Sequence, residues 1–351
     1  MKNVGKKALG IGMAAVLTLG TGMSALAYED IMPVTGTPPY IMNFDAAGLL
    51  EQLMDENGDI DFALPVEDGD TSAQIVLAAK DMPEGLRTLT FSAFGTVLHV
   101  PDAVFAGLPV GASLQFSLEK GAFTFMLADE NGDEYVWRDK VNTITAELPF
   151  TAPMDISTHQ IVLQSNGSFA VARSWLEDGK VMAALNQSGT FKPAIADSGN
   201  YADTEKRWMG TAVFYLAARG VIKGETEITF APYDNVTRED FYDMLIQTLG
   251  AVPVMEEGQH GEDPISRMEM FMLAHGAMEN CGLMPQVFTM QWLAFPDWPD
   301  ALEGSDASAL QNLGKLGLMR GDTQGYLRLD AHATRAEAAQ VLYNVLTFLA
   351  K

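Results

Sequence analysis

Cysteine is nearly absent. The 351 residues hold one, Cys281, which excludes an intramolecular disulfide and any zinc site built on cysteines. Positive charge is scarce: 22 Lys and Arg face 46 Asp and Glu, for a formal charge of −24. Such a surface repels phosphate backbones, which argues against nucleic acid as a partner. The five histidines (His99, His159, His260, His275, His332) show no metal-ligand spacing. No Gly-x-Ser-x-Gly elbow surrounds Ser174, which lies in Arg173-Ser174-Trp175. No cofactor or metal is expected. Beyond the N-terminus, no apolar run is long enough to span a bilayer. Apolar residues are plentiful, at 48%, so disorder throughout is excluded. The length suits two or three domains.

The first 27 residues read as a signal peptide. Lys2, Lys6 and Lys7 precede an apolar stretch from Ala8 to Met23, and Ala25-Leu26-Ala27 is a small-x-small cleavage signal. A membrane anchor is the competing reading, but the run is short for a spanning helix. Cleavage after Ala27 leaves 22 − 3 = 19 basic residues against 46 acidic ones, net −27. An exported chain without cysteine pairs suits a bacterium whose secreted proteins face the wall directly. Any retention there is expected to be noncovalent.

Residues 28–70 read as an irregular leader with a short helix within Phe44–Met54. Residues 71–191 change character. Short alternating runs such as Thr88-Leu-Thr-Phe91, Thr96-Val-Leu-His-Val100 and Ser113-Leu-Gln-Phe-Ser-Leu118 are separated by Asn131-Gly132, Asn166-Gly167 and Asp178-Gly179. Asn-Gly or Asp-Gly between apolar runs signals a hairpin. This is a β-rich, sandwich-like domain with one short helix near Pro101–Leu108. Residues 192–200 form a polar linker.

From Tyr201 helical periodicity takes over, and the chain repeats itself. At an offset of 97 residues, Asp203 meets Asp300, Leu216 meets Leu313, Gly220 and Gly224 meet Gly317 and Gly321, and Thr237-Arg238 meets Thr334-Arg335. Tyr201 meets Trp298, and Trp208 meets Ser305. Repeat 1 spans 201–250 and repeat 3 spans 291–351. Repeat 2, 251–290, is truncated: Ser266-Arg-Met-Glu269 opens its second helix, but Ala251–Asp263 is too short and polar for the first. The expected fold class is multidomain α+β, with a β-rich domain followed by an all-α repeat domain.

The recurring tetrapeptide is Thr237-Arg-Glu-Asp240, Ser266-Arg-Met-Glu269 and Thr334-Arg-Ala-Glu337. Ser or Thr with an acid three residues later is a capping box. The box does not account for the arginine, a cation at the positive end of the helix dipole. Two readings stand. Free N–H groups and a guanidinium converge on an anion, a carboxylate or phosphate. Alternatively, each arginine pairs with an acid of a neighbouring repeat. On the first reading, removing Arg335 leaves stability nearly unchanged.

Residues 201–351 resemble S-layer homology domains, the surface-anchoring modules of bacterial cell envelopes. The resemblance rests on Tyr201-Ala-Asp203, Trp208, Gly220-Val-Ile-Lys-Gly224, Phe230-Ala-Pro232, Gly317-Leu-Met-Arg-Gly321 and the three tetrapeptides. It implies three repeats in a pseudo-threefold helical spindle that binds secondary cell-wall polysaccharide, often pyruvylated, with surface-layer self-association as a further option. It also implies a ligand-contacting set: Arg238, Arg267 and Arg335, with Trp208, Asp203, Asp300, Gly220, Gly224, Gly317 and Gly321. Thr237, Asp240, Ser266, Glu269, Thr334 and Glu337 are the caps. The chain departs from the family pattern at Asp240, which replaces the usual Glu, and at Leu327-Arg-Leu329, which stands where Phe230-Ala-Pro232 does. Residues 71–191 more loosely resemble a β-rich region found before such repeats in secreted Firmicutes proteins.

Two stretches, Asp55-Glu-Asn-Gly-Asp59 and Asp129-Glu-Asn-Gly-Asp133, invite a calcium reading. An EF-hand needs Gly at position six and Glu at twelve. Counted from Asp55 these are Ile60 and Val66, so turn chemistry fits better. The overall expectation is a secreted, noncatalytic protein of the cell surface, its β domain a spacer, adhesin or lattice element. The alternative is a surface-anchored enzyme with its active site in residues 28–191.

Overall fold

The structure, a computed structural model, describes residues 40–43, 49–137, 142–154, 156–167, 169–249, 261–285 and 292–350. The signal-peptide assignment, His260 and the first half of repeat 2 lie outside them. The N-terminal strands are β1 (Tyr40–Asn43), β2 (Asp59–Ala63), β3 (Ser72–Ala78), β4 (Thr88–Ala93), β5 (Thr96–Pro101), β6 (Ser113–Glu119) and β7 (Ala122–Ala128). Then come β8 (Glu134–Tyr135), β9 (Ile144–Pro149), β10 (Ile161–Ser165), β11 (Phe169–Ala170), β12 (Ser174–Glu177), β13 (Lys180–Leu185) and β14 (Gly189–Ile195). Two short helices, α1 (Leu49–Leu53) and α2 (Asp102–Ala106), interrupt them.

The strands form two sheets. One runs β1-β3-β6-β7-β14-β10-β11 with β8 beside β7, the other β12-β13-β9-β5-β4-β2. Side chains alternate across each strand, and the inward sets share one core. Ile75, Leu114, Phe116 and Phe125 come from the first sheet, and Phe62, Leu89, Phe91 and Leu98 from the second. Phe91 and Phe116 meet edge to face across the gap, 5.0 Å between centroids.

Among the described residues, 40–43 and 49–63 are not an irregular leader. β1 adds a parallel strand to β3, and β2 adds one to β4. Leu50, Leu53, Ile60, Phe62 and Leu64 are buried in the sandwich core. In β2 the outward positions are acidic, Asp59 and Asp61, so its alternation hides inside a charged stretch. β14 continues to Ile195, pairing with Ile161, which shortens the linker.

The C-terminal part holds α3 (Gly210–Ala218), α4 (Arg238–Leu249), α5 (Arg267–Asn280), α6 (Gly304–Lys315) and α7 (Arg335–Leu349). It is not all-α, as the periodicity suggested. Extended segments before α4, α5 and α7 pair in antiparallel bridges, Asn235 with Thr334, Thr237 with Pro264 and Ser266 with His332. At their centre three fully buried residues close a ring. Val236 N–H donates to Ala333 O at 3.0 Å, Ala333 N–H to Ile265 O at 2.8 Å, and Ile265 N–H to Val236 O at 3.1 Å. These residues each stand two positions before the motif arginine, so the ring marks a pseudo-threefold axis. A segment just before a helix has unpaired backbone groups, and in a buried place they need partners.

Around this axis α4, α5 and α7 pack against one another, α3 lies on α7, and α6 lies on α5. The equivalent flank of α4 carries exposed Glu239, Asp243 and Ile246, where α5 has the better covered Met268, Met272 and His275.

Candidate functional site

The helix starts are built as the capping pattern requires. Ser266 and Thr334 each accept from the backbone of the acid three residues on, and Glu269 and Glu337 return the bond, giving full capping boxes. Thr237 accepts from Asp240 N–H at 3.0 Å. Asp240 is one methylene shorter than Glu, and among the described residues its return bond is absent.

The N–H groups at these starts are not open to a ligand. Arg238 N–H donates to Asp263 O, Arg267 N–H to Ala331 O, and Arg335 N–H to Asp234 O, at 3.0, 2.8 and 2.9 Å. The following residues, Glu239, Met268 and Ala336, donate to Gly261, Leu329 and Pro232. Each helix thus gives its first two orphan donors to carbonyls of the next repeat. The backbone half of the anion cradle expected from the sequence is occupied by the array itself.

The guanidinium groups follow the same rotation with one break. Arg335 is 8% exposed. Its Nε donates to Phe230 O at 3.0 Å and Nη2 to Lys223 O at 2.7 Å, while Nη1 pairs with Glu225 at 3.2 Å. Arg267 is 7% exposed; its Nε donates to Leu327 O at 2.6 Å and Nη1 pairs with the capping acid Glu337 at 2.5 Å. Phe230 and Leu327 are equivalent, so both arginines hold the same loop of the next repeat. For Arg238 that loop would belong to repeat 2. Among the described residues it pairs with the capping acid Glu269 alone, at 3.0 Å, and its side chain is 21% exposed. Partial burial raises the Glu269 carboxyl, but hydrogen bonds from Ser266 and Arg238 outweigh it and hold its pKa below the usual value.

The other expected contacts divide. Asp203 accepts from Phe230 N–H at 2.9 Å and Ala231 N–H at 2.8 Å. Its counterpart is Asp297, not Asp300: Asp297 accepts from Leu327 and Arg328 N–H at 2.8 and 2.7 Å. The aromatic-x-Asp of repeat 3 is therefore Phe295-Pro296-Asp297, and Asp300 is exposed. The 97-residue offset fails there because α6 is longer than α3, 12 residues against 9. Both aspartates hold a non-glycine residue in the left-handed region, Ala231 at φ 57° and Arg328 at φ 52°. That conformation costs roughly 1–2 kcal/mol, and the carboxylate bonds offset it. The sequence shows the loop as Phe230-Ala-Pro232 and Leu327-Arg-Leu329 but hides its left-handed residue, because neither Ala231 nor Arg328 is a glycine.

Gly220 and Gly317 cap α3 and α6 at positive φ. A methyl at Gly224 would collide with the Tyr201 ring, whose hydroxyl accepts from Gly224 N–H at 2.9 Å. Gly224 thus serves close approach, whereas Gly220 and Gly317 serve the left-handed turn that ends each helix. Trp208 is 57% exposed. Beside it in sequence, Arg207 donates to Tyr233 Oη at 3.1 Å. Arg207, Trp208 and Tyr233 are exposed, as are Lys206 and Lys223, while Arg238 is half-buried.

On the β domain, one row has the order of a catalytic triad. Thr90 Oγ1 lies 2.9 Å from His99 Nδ1, and His99 Nε2 lies 3.0 Å from Glu147, which Lys180 also meets at 2.6 Å. The row crosses β4, β5, β9 and β13, whose backbone groups are engaged in sheet pairing. Among the described residues, the backbone N–H groups beside Thr90 are spent on sheet pairing. The two Asp-Glu-Asn-Gly-Asp stretches are matching turns: Asp55 Oδ1 accepts from Asn57 and Asp59 N–H, and Asp129 Oδ1 from Asn131 and Asp133 N–H.

The first of these Thr/Ser-Arg helix starts lies in a segment that has a match among known proteins. Residues 200–241, from Tyr201 through the first turn of α4, match the family model of the S-layer homology domain. The chain carries an S-layer homology domain. Such domains bind cell-wall polysaccharide, and this one places the protein at the cell wall or cell surface. The chain is similar to an exoglucanase of Acetivibrio thermocellus, 24% identical over 203 residues, 48% of this chain and 18% of that one. It is also similar to an amylopullulanase of Thermoanaerobacterium thermosulfurigenes, 23% identical over 178 residues, 42% of this chain and 9% of that one. The chain thus spans under a fifth of either relative. Among the described residues, no helix is long and apolar enough to cross a membrane.

Proposed function

We propose that residues 201–350 hold the exported protein noncovalently to an anionic secondary cell-wall polysaccharide, and that the β domain is a noncatalytic unit displayed on that anchor. One observation carries the reading from a domain match to a site. Of the three motif arginines, Arg267 and Arg335 are buried against loop carbonyls, while Arg238 keeps a partly exposed guanidinium. It stands on the repeat that also presents Trp208 and Tyr233. A carboxylate such as a pyruvyl ketal fits a two-pronged guanidinium. In a protein of net charge −24, a local cation also chooses where a polyanion can approach.

The test is co-sedimentation with purified cell walls, before and after mild acid removes ketal-linked pyruvate. The full chain pellets with untreated walls, and Arg238→Gln weakens this about ten- to a hundredfold, the usual cost of one charge-assisted contact. A full chain that stays in the supernatant overturns the anchoring reading. Equal pelleting by Arg238→Gln overturns the site.

A further inference from the structure

Arg219 follows α3 and is 4% exposed. A guanidinium so deep is costly unless its donors are answered, and here carbonyls answer them. Nε and Nη2 donate to Ser174 O at 3.1 and 2.6 Å. Nη1 donates to His159 O at 2.9 Å and to Tyr215 O at 3.1 Å, and Nη2 reaches Ile161 O at 3.4 Å. Ser174, His159 and Ile161 belong to the β domain. The Tyr215 ring lies against the guanidinium, 3.5 Å from its carbon to the ring centroid. Tyr215 Oη donates to the same Ser174 carbonyl at 3.3 Å, and His159 meets the ring edge-on.

The seam continues along the segment between β11 and β12. Val171 packs on the sandwich core, whereas its neighbour Ala172 packs on the helical core. Arg173 comes next, and burial at this seam holds its pKa below the usual value. Domains of one chain move relative to each other unless something joins them firmly. Here a charged side chain from one side is satisfied by main-chain carbonyls of the other. Parting the two sides would leave those carbonyls and the apolar seam without their partners.

We propose that Arg219 is an interdomain latch that makes the β domain and the S-layer homology repeats one rigid, cooperatively unfolding body. The anchor is then not a free-standing module joined by a flexible linker, and the β domain stands at a fixed angle to whatever the repeats bind. The proposal does not depend on the identity of the wall ligand.

Calorimetry and hydrogen exchange on the full exported chain test it. The unmodified chain unfolds in one transition, and amides of residues 158–176 exchange as slowly as those of β5 and β9. Arg219→Met keeps an apolar stem and removes every donor. It splits the transition in two and speeds exchange at 158–176 at least tenfold, leaving β5 and β9 unchanged. Tyr215→Phe, which removes one bond and keeps the ring, gives a smaller change in the same amides; it is the measure if Arg219→Met does not fold. Two transitions in the unmodified chain overturn the latch. So does unaltered exchange at 158–176 in Arg219→Met, or in Tyr215→Phe where that variant is the measure.

Discussion

Replacing Arg335 by alanine separates a structural arginine from a ligand-facing one. Arg335 holds two carbonyls, Phe230 O and Lys223 O, at 3.0 and 2.7 Å, and lies over the Phe230 ring at 4.7 Å. Its ion pair with Glu225, whose side chain is 56% exposed, adds no more than about 1 kcal/mol. Hydrogen bonds to a charged group contribute about 1.5–3 kcal/mol each. Allowing for relaxation and water entry, Arg335→Ala costs about 3–5 kcal/mol, in line with breaking other buried charged contacts. At about 1.5 °C per kcal/mol for one cooperative unit of about 310 residues, the melting temperature falls by roughly 5–8 °C. Arg238→Ala removes one pair with the half-exposed Glu269 and costs about 1 kcal/mol or less. Thermal melts of the two variants beside wall sedimentation give the comparison. Arg335→Ala melts early, while Arg238→Ala melts near the unmodified protein and loses wall binding. Equal melting temperatures for all three proteins would refute the assignment of Arg335 as a tie between repeats. The expectation from sequence alone, that losing Arg335 is neutral, rested on N–H groups and a guanidinium free to receive an anion; the structure has both engaged.

What the sequence made legible was whatever a side chain announces. Alternation marked β3 to β7, and Asn166-Gly167 and Asp178-Gly179 marked the turns from β10 to β11 and from β12 to β13. Ser266 with Glu269 and Thr334 with Glu337 announced their helices, because a capping box is a side-chain device. The ring through Val236, Ile265 and Ala333 left no trace, since backbone bonds are indifferent to residue type. Asp297 was hidden by three extra residues within α6, which shift the first half of repeat 3 against an ungapped offset while Gly317 and Thr334 stay in step. The arginines were visible but their partners were not. Arg335 reaches Phe230, 105 residues away, and such a contact depends on the cyclic closure that brings repeat 3 beside repeat 1.

Three further outcomes follow from single contacts. Thr334→Ala loses a capping box and lowers stability by about 1 kcal/mol, read by urea unfolding; no loss would mean the extended segment fixes the helix start unaided. Asp297→Ala destabilises the 327–328 loop and lowers the melting temperature, whereas Asp300→Ala does not; the reverse order would restore the 97-residue register. Acid acts through Glu147, which burial alone would raise but which hydrogen bonds from Lys180 and His99 hold below the usual carboxylate value. A carboxyl lowered in the folded state binds its proton more readily when unfolded. Its contribution is therefore full above about pH 4.5, the ordinary glutamate range, and is lost as pH falls through the lower folded value. Glu147→Gln cannot titrate there, so its stability changes less between pH 6 and 3 than that of the unmodified chain. Parallel acid-unfolding curves for the two would show that the Glu147 pairs on the sheet face do not couple to folding.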